Sequence, residues 1–547
     1  MPKVHVLQAP SAPLQGRSVR CSTRSVIFTF GYVVNLVVMP FKAYLSEPLP
    51  WNLHPHSLDL APNASFEIFS IKAFQFLSET YNNKTVPESA TISRDMAANT
   101  YCLRYTMAFP SFGDHQCIEY MLGFPAALYY SLATTEFLCD FVADNTTTRL
   151  NRPLYHCQQD RFVTMSIAFS CTWIVPLEQP DTFDVYHGVQ LLETPMFSWI
   201  KLGYRVGLSV FIGFAQWRLY FQHLKPLLHN LRTIGLANLN DEANYVIQLG
   251  DPTWLILSHR IVTLVMVLDC FVNVGYSGAA GNRTSQVNNI WEFCLGCLYG
   301  SRAVWAAYFV MYYATPLVKY MAWEKHFQPV DPGPMAMTAI FYAGPVIYNN
   351  SHTPSLLFFQ WLHAIAAPNI EIVECALGMV VFLSTMAAVP VLFSCTAQCT
   401  RRAFKKRHIA PTRRPLYASM RFNDWKQWIL FYQRRLWTPQ DQVGGTLYYL
   451  FDENPRYRKY PLFSARVSDC FVTCYNTDGV VVRQVRLSLM HSLDCQSTDP
   501  TLRILLCPHV HSTSAVGSIN SEGCDNSEKD KSSKYIHLGA SGCQWIQ

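Results

Sequence analysis

Nineteen consecutive uncharged residues, Ala376–Ser394, are enough to cross the hydrocarbon core of a bilayer as one helix. A run of that length constrains the chain more than any other feature. It must be covered by protein or by lipid. Similar apolar stretches recur at Ser25–Phe41, Phe197–Trp217, Trp254–Tyr276, Ile290–Leu317, Met335–Tyr348 and Glu371–Cys395. They explain why half of the 547 residues are hydrophobic and only 15% charged, against roughly 25% in soluble domains. The 34 Phe, 29 Tyr and 13 Trp exclude a disordered or collagen-like chain.

The reading is an α-helical polytopic membrane protein with about six transmembrane helices. Residues 1–24 form a basic cytosolic N-terminus, with Lys3, Arg17, Arg20 and Arg24 and no acid. Residues 25–41 are a transmembrane helix or signal anchor, a cleaved signal peptide being the other choice. A Cys-containing, glycosylated extracellular domain follows over 42–196. A bundle of about five helices occupies 197–395. A basic cytosolic tail with a small α/β or β unit covers 396–510, and 511–547 is disordered, being rich in Ser and Gly. Met121–Cys139 and Phe162–Pro176 are also apolar and would give eight spans. A buried strand or helix is the more ordinary reading of runs so short.

Charge sets the orientation. Residues 42–196 hold 16 acids and 8 bases, while 396–547 hold 12 acids and 21 bases. Arg401, Arg402, Lys405, Lys406, Arg407, Arg413 and Arg414 follow the last span directly, a positive-inside mark that puts both termini in the cytosol. The sequons at Asn63, Asn83, Asn145, Asn282 and Asn349 then all face outward. The expected location is a membrane, the plasma membrane first. The bilayer is the expected partner, with anionic lipids against the seven basic residues of the tail. Cys395 and Cys399 are candidate palmitoylation sites. Arg421–Trp437 carries an apolar helical stripe that suits the membrane surface or the tail's own unit. Nothing points to nucleic acid.

In the outer segment Cys102, Cys117, Cys139 and Cys157 are the candidate disulfide cysteines, with three pairings possible. Cys171, inside an apolar run, is the candidate free thiol. The nearby histidines lack metal-ligand spacing, and no cofactor is expected.

Charges inside apolar runs are the most informative chemistry, because each costs about 2.5–3.5 kcal/mol at a span centre. They are Lys201, Arg205, Arg260, Asp269 and Arg302. Lys201 and Arg205 are four apart and share a helix face. Asp269 lies at a similar depth on the antiparallel neighbour, so an Arg205–Asp269 ion pair is one reading and snorkelling to the interface the other. Arg302 could join Asp269 across a cavity or take an anion. Gly203-x-x-x-Gly207 and Gly296-x-x-x-Gly300 suit close helix contact and leave homo-oligomerisation open. The Cys294/Cys297 pair lacks a thioredoxin-like context.

The stretches GFPAALYYS (123–131), QLLETPMFSWIK (190–201), DCFVNVGYSG (269–278) and CLYGSRAVWAAY (297–308) resemble an uncharacterised multi-pass membrane protein family of oomycetes over roughly residues 26–395. The resemblance implies membrane location and no mechanism. No Walker A loop, GxGxxG, HExxH or GxSxG is present, so enzyme activity is not the expectation. Two functions stand: a sensor or receptor-like protein that couples the outer domain to the basic tail, and a channel or transporter that uses the intramembrane charges.

Overall fold

A computed structural model describes residues 18–59, 61, 64–87, 89–109, 117–179, 181–236, 244–327, 330, 332–405, 442–459, 468–495, 504–508, 515–520, 534–538 and 543–547. Its strands are β1 (Ser18–Cys21), β2 (Ile92–Asp95), β3 (Thr100–Ala108), β4 (Tyr155–Phe162), β5 (Met165–Pro176), β6 (Thr182–Leu191), β7 (Asn244–Gln248), β8 (Ile372–Glu374), β9 (Gln442–Gly444), β10 (Cys470–Tyr475), β11 (Val481–Leu489), β12 (Ile504–Pro508), β13 (Val516–Asn520), β14 (Lys534–Leu538) and β15 (Trp545–Ile546). They form a six-stranded sheet in the order β2-β3-β6-β5-β4-β8 and a nine-stranded sheet in the order β1-β7-β10-β11-β15-β13-β14-β12, with β9 beside β11.

The six-stranded sheet is antiparallel except for the last pairing, β4 with β8. Its central strand β5, MSIAFSCTWIVP, is almost continuously buried. One face packs on the helix Phe66–Thr80, where Phe69, Ala73 and Leu77 meet Phe169, Cys171 and Trp173. The other face meets the helices, Ala168, Val189 and Leu191 against Tyr276 and Ala280. Burial on both faces makes the strand read as an unbroken apolar run. Ser65 caps the Phe66–Thr80 helix by accepting from the Ile68 N–H at 3.4 Å.

Eight further helices matter: α1 (Thr23–Val37), α2 (Pro195–Leu219), α3 (Arg260–Val272), α4 (Val274–Thr284), α5 (Ile290–Gly300), α6 (Val304–Tyr320), α7 (Leu356–Ile365) and α8 (Cys375–Lys405). Several of them run between the sheets. α1 leaves β1 of the larger sheet. α2 starts just beyond β6 of the smaller sheet and ends at Tyr220, whose hydroxyl accepts from the Gly250 N–H at 2.7 Å. α8 leaves β8.

About six transmembrane helices with a small tail unit is therefore the wrong architecture. Among the described residues two helices, Ile290–Tyr320 and Cys375–Thr396, are long and apolar enough to cross a membrane, or four if each of two bent pairs counts as one span. The bent pairs turn by 63° after Val37 and by 74° between α3 and α4. α2 has 25 residues, but its buried positions include Ser198, Lys201, Arg205, Ser209 and Gln216, so its interior face is polar. Met335–Tyr348 is split into a helix, Pro332–Phe341, and a π-turn, Tyr342–Val346, around Gly344-Pro345. Proline removes a helical hydrogen bond there, and the extra residue of the π-turn absorbs the break.

The tail does not build its sheet alone. β7 lies between β1 and β10, parallel to the first and antiparallel to the second. The N-terminal basic segment and the 218–253 connection thus supply two strands. Thr446–Glu453 is a helix. Asp478-Gly479 turns the chain between β10 and β11, with Gly479 at φ +75°, a conformation that favours glycine. Part of 511–547 is ordered: β13, β14 and β15 belong to the sheet, and Trp545 and Ile546 are fully buried in its core. Ser/Gly-rich sequence there joins an existing sheet edge, a tertiary gain that composition does not reveal. Lys406, Arg407, Arg413, Arg414 and the Arg421–Trp437 stripe lie outside the described residues. Arg401, Arg402 and Lys405 lie in the last turns of α8.

Two disulfides staple the segment around the smaller sheet, Cys117–Cys139 and Cys157–Cys171. Cys102 is a buried free thiol and Cys171 is paired, the reverse of the sequence expectation. Cys157 and Cys171 are directly opposite on β4 and β5, and cross-strand register brought them together.

Candidate functional site

The charged side chains of the helices meet at one buried point. It centres on a residue the sequence reading passed over. Glu47 follows the short helical turns after α1, and its N–H donates to the Ala43 carbonyl at 2.9 Å. Its carboxylate is wholly buried. Arg205 donates to it in a two-pronged fork, Nη1 to Oε2 at 2.6 Å and Nη2 to Oε1 at 2.9 Å. Lys201, one turn earlier on the same face of α2, reaches Glu47 Oε2 at 3.2 Å and Glu193 Oε2 at 2.7 Å. Arg205 also contacts Asp269 of α3, Nη2 to Oδ1 at 3.0 Å. Arg302, in the turn between α5 and α6, pairs with Asp269 and lies 3.5 Å from Glu47 Oε1.

The count balances. Lys201, Arg205 and Arg302 supply three positive charges, and Glu47, Glu193 and Asp269 three negative ones. The six side chains are between 0 and 11% exposed. Neutral groups complete the shell. Tyr299 Oη donates to Glu47 Oε1 at 2.6 Å, Tyr276 Oη to Glu193 Oε2 at 2.6 Å, and Asn273 Nδ2 to Asp269 Oδ1 at 3.0 Å. The Arg205, Arg302 and Lys201 cations lie 4.8, 4.8 and 4.7 Å from the ring centres of Tyr44, Tyr299 and Tyr276. Burial by itself would raise the Glu47 carboxyl, but Arg205, Lys201 and Arg302 outweigh it and hold the group well below the usual carboxylate range.

Of the five intramembrane charges read from the sequence, four meet here. Arg260 is the exception. It opens α3, exposed, nine residues before Asp269 and so about 14 Å along the helix. Glu47 and Glu193 were missed because each sits in a polar connection next to an apolar run. A signal for them existed. The charges singled out inside the runs are four bases, Lys201, Arg205, Arg260 and Arg302, against one acid, Asp269, which leaves three positive charges without partners, and buried charges are paired. The nearest acids to the ends of the first two runs are Glu47 and Glu193.

Surface glycosylation at all five sequons is not supported. Asn282 is 3% exposed and its Nδ2 donates to the Tyr101 hydroxyl at 2.9 Å, which leaves no room for a glycan. Asn145 caps a short helix, its Oδ1 accepting from the Thr148 N–H at 2.9 Å. Asn83 accepts from the Tyr186 hydroxyl, and Asn349 lies exposed in the helix Ile347–Ser351. Asn63 is outside the described residues. The sequon pattern sees three residues and not the packing around them. Gly296 packs its Cα against Thr284 and the Ala280 carbonyl, and Gly300 against Ala343, so that glycine pair serves contacts within the chain. A Cβ at Gly203 or Gly207 would meet nothing within 4 Å.

No family model, curated protein or solved structure matches the chain. The reading of the site rests on its own geometry.

Proposed function

We propose that this protein is a membrane-held coupling protein of receptor type, in which the state of the six-stranded sheet is passed to the nine-stranded sheet through the helices. One observation carries this reading. Glu47 gathers side chains from the end of the first helical segment, from α2 and from the α5–α6 turn into one buried clasp of three bases and three acids. Asp269 adds α3 to it. Buried charges paired with one another make a discrete arrangement rather than a compliant one. Shifting one helix along its neighbour would leave buried charges unpaired, at several kcal/mol each. Motion at one end is therefore transmitted or blocked, not absorbed.

The two apolar helices, Ile290–Tyr320 and Cys375–Thr396, support a place in a bilayer, as do exposed Val210, Phe214, Trp217 and Leu392 on helix surfaces. A channel or transporter would use these charges for water or substrate. Here they are occupied by each other, which favours coupling.

The test is hydrogen–deuterium exchange on the full chain in lipid nanodiscs, with and without a nanobody raised against residues 66–191. Wild-type chain should change its exchange at Asn244–Gln248 and Cys470–Tyr475, strands the nanobody does not touch. Glu47→Gln should lose that response while still binding the nanobody. Unchanged exchange in the wild type for every nanobody tried refutes coupling.

A further inference from the structure

A second set of buried polar groups lies apart from the clasp. Two adjoining cavities, of about 80 and 30 Å³, sit between the six-stranded sheet and α4, α7 and α8. Tyr129, Val274, Gly278 and Cys375 belong to the walls of both. The larger is apolar, with Leu128, Phe359, Met379 and Phe382 around it. The smaller is lined by Asp160, His187, Tyr101 and Asn282.

Asp160 accepts from Gln158 Nε2 at 3.1 Å, and among the described residues no base lies within ion-pair distance of it. Asn282 uses its Nδ2 on Tyr101, but its Oδ1, buried, has no partner among the described residues. Asn282 Oδ1 is thus a buried acceptor without a donor among the described residues, and the half-buried Asp160 carboxylate beside the same cavity has no cation among them. A buried polar group left without a partner is costly, and a ligand or water that donates to it removes the cost. The backbone keeps the space open. Gly278 is inside a helix, where glycine is less favourable than alanine. A Cβ there would meet nothing within 4 Å. The Tyr129 hydroxyl lies directly over Gly281, where any Cβ would strike it.

We propose that these cavities bind a small apolar amine of about four carbons, with its apolar body in the larger cavity and its ammonium donating to Asp160 and Asn282. An engineered apolar cavity of about 150 Å³ holds benzene, so cavities of about 80 and 30 Å³ take a body smaller than a ring. The ammonium supplies the missing cation, and the rings of Tyr101 and Tyr129 beside it suit a positive charge. A hydroxyl would give one hydrogen bond and no ion pair, and a carboxylate would meet Asp160 as a like charge. The inference stands apart from the coupling reading, because binding is measurable whether or not the clasp transmits anything.

The probes are isobutylamine, isobutanol and isobutyrate, titrated by calorimetry into the full chain in phosphatidylcholine nanodiscs at pH 8. Isobutylamine should bind saturably, isobutanol at least tenfold more weakly, and the carboxylate not at all. Asp160→Asn should weaken the amine at least tenfold and leave isobutanol within twofold. Gly278→Leu should abolish binding of both by filling the space, with Gly278→Ala as the folding control. If Gly278→Leu does not fold, the Asp160→Asn comparison decides alone. Burial pushes Asp160 up to about 7 against the hydrogen bond from Gln158, so protons compete with the amine below that pH. Affinity should fall by up to about tenfold per pH unit below 7. Of the titratable groups facing Asp160 from other elements (His187, Tyr101, Tyr129 and Cys375), His187 is held down to about 3 by burial and stays neutral over this range. Equal, unsaturable uptake of all three probes, unmoved by either variant, means partition into lipid and overturns the proposal. So does the absence of amine binding.

Discussion

Among the buried arginines of the described residues, Arg205 lies between the helices and Arg486 in the nine-stranded sheet. They are held in different ways. Arg486 on β11 pairs with Asp469, 17 residues earlier, and its guanidinium lies 4.0 Å from the ring centre of Tyr448. Asp469 also accepts from Tyr448 Oη at 2.7 Å and Ser488 Oγ at 2.8 Å, so the whole arrangement belongs to one stretch of tail. Arg205 finds Glu47 and Asp269 at separations of 158 and 64 residues. Through them it meets Lys201, Arg302 and Glu193. The first arrangement can form as soon as its sheet forms. The second needs helices from four parts of the chain in place together, so it reports on the assembly of the whole helical layer.

That contrast can be broken by removing the acid from each. Glu47→Gln should be the larger effect. It leaves three positive charges against two negative ones in a buried site, a loss of about 4–5 kcal/mol at the top of the range for a broken buried pair. Equilibrium unfolding in mild detergent should show it for the helices and both sheets together. Asp469→Asn should cost about 3 kcal/mol, because Tyr448 and Phe471 still shield the Arg486 cation. Exchange protection should fall at β10 and β11 first. If the two variants lose protection in the same regions, the distinction between a local and a global arrangement fails.

Finer changes sharpen it. Tyr299→Phe removes one charge-assisted hydrogen bond to Glu47 and keeps the ring under Arg302, so a loss of about 1.5–2 kcal/mol is expected from thermal unfolding. The two regions should also answer pH differently. Glu47 is held below its ordinary range, so its contribution is complete above about pH 4.5 and is lost only as pH falls through its lowered folded value. Asp160 at the cavity is raised to about 7, the opposite sense. The folded state there binds the proton more tightly than the unfolded state. That contribution is present below about pH 4 and lost as pH rises toward 7. The expected effect is a loss of stability between pH 4 and 7 that disappears in Asp160→Asn, measured by urea midpoints across that range.

Much of the clasp was legible from depth alone. Lys201 and Arg205 share a helix face by their spacing, and the antiparallel course of α2 and α3 sets Asp269 beside them. The acids outside the apolar runs were not legible by position, only by charge balance. The membrane reading failed in number because apolar runs do not say how they are covered. Phe197–Trp217 buries Lys201, Arg205 and Gln216 against the protein, and Met335–Tyr348 is broken around Pro345, whereas Phe162–Pro176 is the buried strand its length suggested.

By itself the sequence determined that several apolar segments would be buried and that a few charges among them would need partners. Local periodicity and the cost of a bare buried charge act within a few residues, so they can be read along the chain. The tertiary structure alone decided which covering each segment received. It also decided that Ser18–Cys21 and Asn244–Gln248 join the tail's sheet, that Cys171 pairs and Cys102 does not, and that Glu47 sits at the centre of the charges. Those outcomes depend on contacts between residues hundreds of positions apart, where register and packing set the energy and no local pattern carries it.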